Sequence, residues 1–263
     1  MSTNLIAAAF ARQRPCLLVF ITAGFPHADS TPAMLRAIAD NGADIIELGV
    51  PFSDPMADGP AIQRSSEAAL ANGITLQKTI AEAAAFRVYN HTTPLALMGY
   101  TNSFLSHPGG LGGLAQSTKQ AGINGFIVVD LADTDRAAWK KELSPAGISL
   151  VSLVAPTTDD ERLSHIAAAA EGFVYVISLK GVTGADVLDT NAIAGQLQKT
   201  KNAAAVPVVA GFGVRTPEQA RALAQHADGV VVGSRIVEIA ENAADAPAAV
   251  GAFVKEMAQA LHS

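Results

Sequence analysis

The sequence predicts an α/β chain closed into a (β/α)8 barrel, with one extra helix at the N-terminus. Three observations carry this expectation. Short, continuously apolar runs recur eight times, and helical spacing follows each of them. The 263 residues contain no linker rich in Pro, Gly or Ser, so residues 1–263 read as a single barrel domain. Continuous apolar runs, unlike alternating ones, indicate strands covered on both faces, and therefore a parallel sheet. Eight such strands close a ring without leaving edges; an open doubly wound sheet is the alternative.

Residues 2–13 read as the leading helix, with Leu5, Ile6 and Phe10 at helical spacing. The first strand spans 17–22, between Pro15 and Gly24. Thr31-Pro32 has the residue types of a helix start, Met34, Leu35 and Ile38 supply the apolar face, and Asn41-Gly42 stops it. Further strands are expected at 44–48, 94–99, 124–129, 148–154, 173–178, 206–210 and 229–232. Helices are expected near 61–71, 76–87, 110–121, 134–143, 159–170, 190–202, 216–226, 235–243 and 246–261. Thr158 with Glu161, and Thr216 with Gln219, have capping-box spacing.

Composition excludes several classes. Apolar residues make up 49%, enough for a large core and too many for a disordered chain. A net charge of −6 with scattered Lys and Arg offers no nucleic-acid surface. Cys16 is alone, so no internal disulfide forms. Met1–Arg14 lacks the apolar run of a signal peptide, and no stretch approaches the ~20 apolar residues of a membrane span. The chain reads as cytoplasmic.

In such a barrel the chemistry lies at the C-terminal ends of the strands. The second strand ends on Glu47, an acid beside buried positions, and a polar loop with Asp54 and Asp58 follows. Glu47 and Asp58 are the acid–base pair to expect: one on rigid strand, one on a loop, in environments that can tune them apart. A buried structural ion pair for Glu47 and an Asp-Gly turn for Asp58 are the bland alternatives. Asp130, at the fourth strand end, reads as a third acid or equally as a helix cap or a polar core residue.

The last strand ends carry Gly211-Phe-Gly213 and Gly233-Ser234, with Gly184 in the preceding loop. Glycines admit an anion close to backbone N–H groups, and helix N-termini add positive dipole; phosphate is the ligand this suggests. The six histidines share no metal spacing, so no metal is expected, and Ser53 and Ser234 lack an adjacent histidine for a hydrolase triad. Phe20, Tyr175 and Phe212 could wall an apolar pocket.

The stretch Ile46-Glu-Leu-Gly-Val-Pro-Phe-Ser-Asp-Pro-Met-Ala-Asp-Gly59 closely resembles the signature of the tryptophan synthase α subunit. The similarity extends through Phe20-Ile-Thr-Ala-Gly24, Leu97-Met-Gly-Tyr100, Leu153-Val-Ala-Pro-Thr157, Gly181-Val-Thr-Gly184, Gly211-Phe-Gly213 and Val232-Gly-Ser234. The resemblance implies a barrel that cleaves indole-3-glycerol phosphate to indole and glyceraldehyde 3-phosphate. It implies catalytic roles for Glu47, Asp58 and Tyr175. It puts indole contacts on Phe20, Tyr100 and Phe212, phosphate contacts on Gly184, Gly213, Gly233 and Ser234, and the loop threonine on Thr183. No cofactor is implied for this half-reaction. The implied partner is a pyridoxal-phosphate β subunit in an α2β2 assembly. Phe25, Thr101-Asn-Ser103, Leu131-Ala132 and Leu179-Lys180 depart from the residues common in relatives, and none of them is a catalytic position. A stand-alone lyase, another sugar-phosphate isomerase or aldolase, and a non-catalytic binding barrel are the competing readings.

Overall fold

A computed structural model describes residues 4–177 and 190–262. Thr183 and Gly184 therefore lie outside the described residues, as do Lys180 and Gly181. The strands are β1 (Cys16–Thr22), β2 (Ile45–Gly49), β3 (Leu95–Gly99), β4 (Gly125–Val128), β5 (Ser149–Leu150), β6 (Ser152–Val154), β7 (Val174–Ile177), β8 (Val208–Gly211) and β9 (Gly229–Val232). All their pairings are parallel, in the order β5-β4-β3-β2-β1-β9-β8-β7-β6.

The two ends of that order are neighbours in the chain. β5 pairs with β4, β6 pairs with β7, and only Val151 separates them. The Val151 N–H still bonds Phe126 O at 2.9 Å. The run expected as one strand over 148–154 is thus divided at Val151, and its two halves close the ring by turning from one neighbour to the other.

Alternate strand residues point inward. Cys16, Leu18, Ile45, Ala96, Ile127, Val151, Phe173, Tyr175, Val209 and Val231 form one buried cluster with Ile6 and Ala9. The leading helix, Leu5–Phe10, closes the N-terminal end of this interior. It is shorter than the 2–13 expected, because only Ile6 and Ala9 are buried and Asn4 caps it by accepting from the Ala7 N–H. The larger cluster lies between strands and helices, and includes Trp139 packed edge-on against Phe104 and Phe126. Truncating a buried aromatic of this kind costs about 3–5 kcal/mol.

Helices follow the strands as expected, with local corrections. Thr31 does not cap the Thr31–Asp40 helix, since its hydroxyl accepts from the Gly24 N–H at 2.7 Å. The Asp160–Ala168 helix is capped by Asp159, which accepts from Arg162 N at 2.8 Å, while the Thr158 hydroxyl accepts from Ala155 N. Thr216 does cap the Pro217–Ala224 helix. A short helix, Thr101–Leu105, appears where none is expected from periodicity, its five residues being too few to show one.

The end opposite the strand tips is stapled by Asp44, only 1% exposed. Its carboxylate accepts from Arg12, from both terminal nitrogens of Arg14, from the Leu17 N–H and from His262 near the C-terminus. Among the described residues, no helix is long and apolar enough to cross a membrane.

Candidate active site

Parallel register decides what surrounds Glu47. Phe20 pairs with Glu47 on one side and Ala96 on the other, so the carboxyl enters the barrel interior between an aromatic ring and a methyl group. It is 0% exposed, and neither carboxyl oxygen has a hydrogen-bond partner among the described residues. The ion pair that would make Glu47 merely structural is absent among those residues. Burial without a partner favours the neutral acid, and pushes the carboxyl from the ordinary 4.5 to about 8.

Above Glu47 two glycines make room for aromatic rings. A Cβ on Gly49 would lie 2.6 Å from Phe20 Cζ, and one on Gly211 would lie 2.8 Å from the Tyr175 ring. Each aromatic leans across the glycine of a neighbouring strand, two residues nearer the mouth than its register partner. Glycine here is required by close approach rather than by turn geometry. The Tyr175 hydroxyl is held well above its ordinary range, first by burial and then by the negative charges of Glu47 and Asp58. It stays protonated, and the same interaction places it within electrostatic reach of both acids.

Asp58 reaches the mouth from the loop after β2. Its Oδ2 accepts a hydrogen bond from the Tyr100 hydroxyl at 2.9 Å, and that same hydroxyl accepts from the Ala57 N–H at 3.0 Å. Burial raises the Asp58 carboxyl from 3.8 to about 6, and the Tyr100 hydrogen bond opposes the rise. Around neutral pH the two acids therefore sit in opposite states, Glu47 mostly protonated and Asp58 mostly ionised. Asp54 takes no part: it is exposed in the turn, where its carbonyl accepts from Met56 N.

Phosphate-type residues gather at the adjacent ends of β8 and β9, which pair directly. Gly213 has φ +66° and open space where a side chain would stand. Gly233 is the N-cap of the Ser234–Asn242 helix, whose first turn leaves amide N–H groups unpaired within the helix. A Cβ on Gly233 would come 3.2 Å from Phe20 Cβ, so this corner adjoins the aromatic wall. Phe212, between the two glycines of its motif, is buried in the cluster that also holds Phe20. A cavity of about 750 Å3 lies beside the β4 and β6 ends, lined by Val128, Arg136, Leu153, Thr158, Asp159 and His165 among others, and none of the site residues named above lines it. Among the described residues, no cluster of His, Cys, Asp or Glu could hold a metal ion.

The structure thus brings Phe20, Glu47, Asp58, Tyr100 and Tyr175 to one end of the ring, with Phe212, Gly213, Gly233 and Ser234 at the neighbouring strand tips. Sequence reasoning missed the Tyr100–Asp58 hydrogen bond, treating Tyr100 as a wall only. It also missed Phe52, whose ring stacks on Tyr100 at 5.0 Å between centroids. The aromatic at a strand end was the available signal, but its partner is 42 residues away. Asp130 resolves as a helix cap: its Oδ1 accepts from both the N–H and the hydroxyl of Thr101.

The family model described as tryptophan synthase alpha chain matches residues 6–263. The tryptophan synthase alpha chain of Burkholderia multivorans is 48% identical over 257 residues, covering 97% of this chain and 94% of that protein. That of Paraburkholderia phytofirmans is 45% identical over 262 residues, covering 99% and 96%. The crystal structure of tryptophan synthase subunit alpha from Legionella pneumophila superposes with a TM-score of 0.91 at 34% identity, covering 99% of each chain. A chain of the aminoacrylate-bound tryptophan synthase of M. tuberculosis superposes at 0.87, with 31% identity and 98% and 99% coverage.

Proposed function

The chain belongs to the tryptophan synthase alpha-chain family, and from that premise we propose that Glu47 and Asp58 carry out the acid–base chemistry of its lyase reaction. That reaction cleaves indole-3-glycerol phosphate to indole and glyceraldehyde 3-phosphate. The α subunit needs no cofactor for it; pyridoxal phosphate belongs to the β subunit, which receives the indole and with which the chain assembles as α2β2. The compartment in this reading is the cytoplasm.

Carbon–carbon cleavage requires indole C3 to be protonated, so that the ring leaves as neutral indole. Protonated Glu47 donates that proton, and the positive charge appears on the ring nitrogen. Ionised Asp58 accepts the hydrogen bond from that N–H and stabilises the charge in a water-poor site. The Glu47 carboxylate then takes the proton of the glycerol hydroxyl. The carbon–carbon bond breaks, its electron pair returns to the ring, and the hydroxyl carbon becomes the aldehyde; Glu47 ends protonated, as it began. Tyr175 stays neutral beside the acids as the third catalytic group. Phe20, Tyr100 and Phe212 hold the indole. Gly213, Gly233 and Ser234 hold the phosphate; the phosphate role of Gly184 and the substrate role of Thr183 rest on the resemblance alone, since both lie outside the described residues.

The observation that carries this reading is the pairing of a fully buried, unpartnered Glu47 carboxyl with an Asp58 carboxyl held by the Tyr100 hydroxyl at the same mouth; burial raises both, Glu47 to about 8 and Asp58 only to about 6. An idle barrel has no use for a fully desolvated, unpartnered carboxyl at its mouth. The test is Glu47→Gln, assayed for indole release and for binding of indole propanol phosphate. Turnover falls by roughly 10²–10⁴ while binding persists. Retained turnover refutes the acid role, and preferential binding of simple sugar phosphates points instead to another phosphate barrel.

A further inference from the structure

Tyr100 holds the loop after β2 at three points. Its ring stacks on Phe52, its hydroxyl accepts from Ala57 N–H, and the same hydroxyl donates to Asp58. The Tyr100 backbone is in turn fixed from the next strand. Asp130 follows β4, and one of its oxygens accepts from the Thr101 N–H at 2.7 Å and from the Thr101 hydroxyl at 2.9 Å. The first of these is an N–H that the start of the Thr101–Leu105 helix would otherwise leave without a protein partner. The second locks the Thr101 side chain to the same oxygen.

We propose that Asp130 is a positioning residue for the cleavage: by anchoring Thr101 it sets the backbone that carries Tyr100, and through Tyr100 it sets the place of the Asp58 carboxylate. The inference rests on the proposed roles of Glu47 and Asp58. Asp130 itself is exposed and hydrogen-bonds only Thr101 among the described residues; its charge also helps hold the Tyr100 hydroxyl above its ordinary range, as the last of several causes, and the asparagine variant separates that charge from the acceptor oxygen. What is needed is an acceptor oxygen at that point, which an asparagine side chain also supplies. A cap that served stability alone would leave turnover untouched once the protein was folded.

The test compares Asp130→Ala, Asp130→Asn, Tyr100→Phe and the double variant Asp130→Ala/Tyr100→Phe. Each is the full chain with its β subunit, assayed for indole-3-glycerol phosphate cleavage at a temperature where melts show all of them folded. Asp130→Ala lowers kcat roughly tenfold with KM changed less than about twofold, since a misplaced group harms the reacting geometry more than binding. Asp130→Asn stays within about twofold of the parent, and Asp130→Ala adds almost nothing once the Tyr100 hydroxyl is gone. An unchanged kcat in Asp130→Ala overturns the proposal. So does an asparagine variant as poor as the alanine one, or losses that multiply independently in the double variant. If the unsubstituted protein fails to cleave the substrate, the functional reading falls instead, and the two failures are distinct.

Discussion

Glu47 should make the folded protein lose stability as pH rises, and Glu47→Gln should remove that loss. The folded carboxyl titrates near 8 and an unfolded one near 4.5. Below about 4.5 both states hold the proton and Glu47 contributes no pH dependence. Between these values the unfolded chain releases the proton and the folded chain keeps it. Folding then weakens by about 1.36 kcal/mol for each pH unit. The gap amounts to roughly 5 kcal/mol in total, levelling off above pH 8, with most of it already present at pH 7. That is comparable with the whole stability of an ordinary domain, about 5–15 kcal/mol. Glutamine keeps the shape and cannot ionise, so the stability of Glu47→Gln relative to the parent should climb through this window. Urea unfolding of both ligand-free proteins at pH 5, 6, 7 and 8, with m-values checked for equality, gives the difference directly. Parallel stability–pH curves would refute the reasoning, because they would mean that Glu47 is solvated or paired in the folded protein.

Two further outcomes follow from the same geometry. The pH profile of kcat/KM should be bell-shaped, falling below about 6 as Asp58 gains a proton and above about 8 as Glu47 loses one. Tyr100→Phe should move the acid limb upward, since it removes the hydrogen bond that favours the ionised Asp58; an unmoved limb counts against Asp58 as its source. At the other end of the barrel, Asp44→Asn should destabilise the fold by about 1.5–3 kcal/mol at neutral pH, as it weakens the charge-assisted hydrogen bonds from the partly exposed Arg12 and Arg14. Burial alone would raise the Asp44 carboxyl. The Arg14 and Leu17 hydrogen bonds and the charges of His262 and Arg14 outweigh that and hold it below 3.8. The stabilisation is therefore present above 3.8 and disappears as pH falls through the folded value. Thermal melts of the parent and Asp44→Asn that fail to converge in acid would contradict this account.

Much of this protein was legible along the chain. Eight apolar runs and the helical stretches between them specify a parallel barrel, because burial on both faces leaves a pattern within each segment. Strand ends specify which residues reach the mouth, and Glu47 is recognisable there as an acid set among apolar neighbours. The loop containing Asp58 and the glycines at 213 and 233 are visible for the same reason: each announces itself through its own residue type and its place after a strand.

Contacts between segments were decided only by the closed ring. The division of the fifth strand at Val151 depends on turning from β4 to β7, which no local periodicity encodes. The cap at Asp159 displaced Thr158 because two hydroxyl- or carboxyl-bearing neighbours competed for one helix start, and the loop geometry chose. Most important, parallel register sets Phe20 and Ala96 beside Glu47, while the β3 end brings Tyr100 to Asp58 across 42 residues. Side-chain type is a property of one position, but desolvation and hydrogen-bond supply belong to the neighbours that folding assembles. The sequence by itself therefore determined which acids stand at the mouth, and the tertiary structure alone determined which of them is buried without a partner and which is held by a hydroxyl.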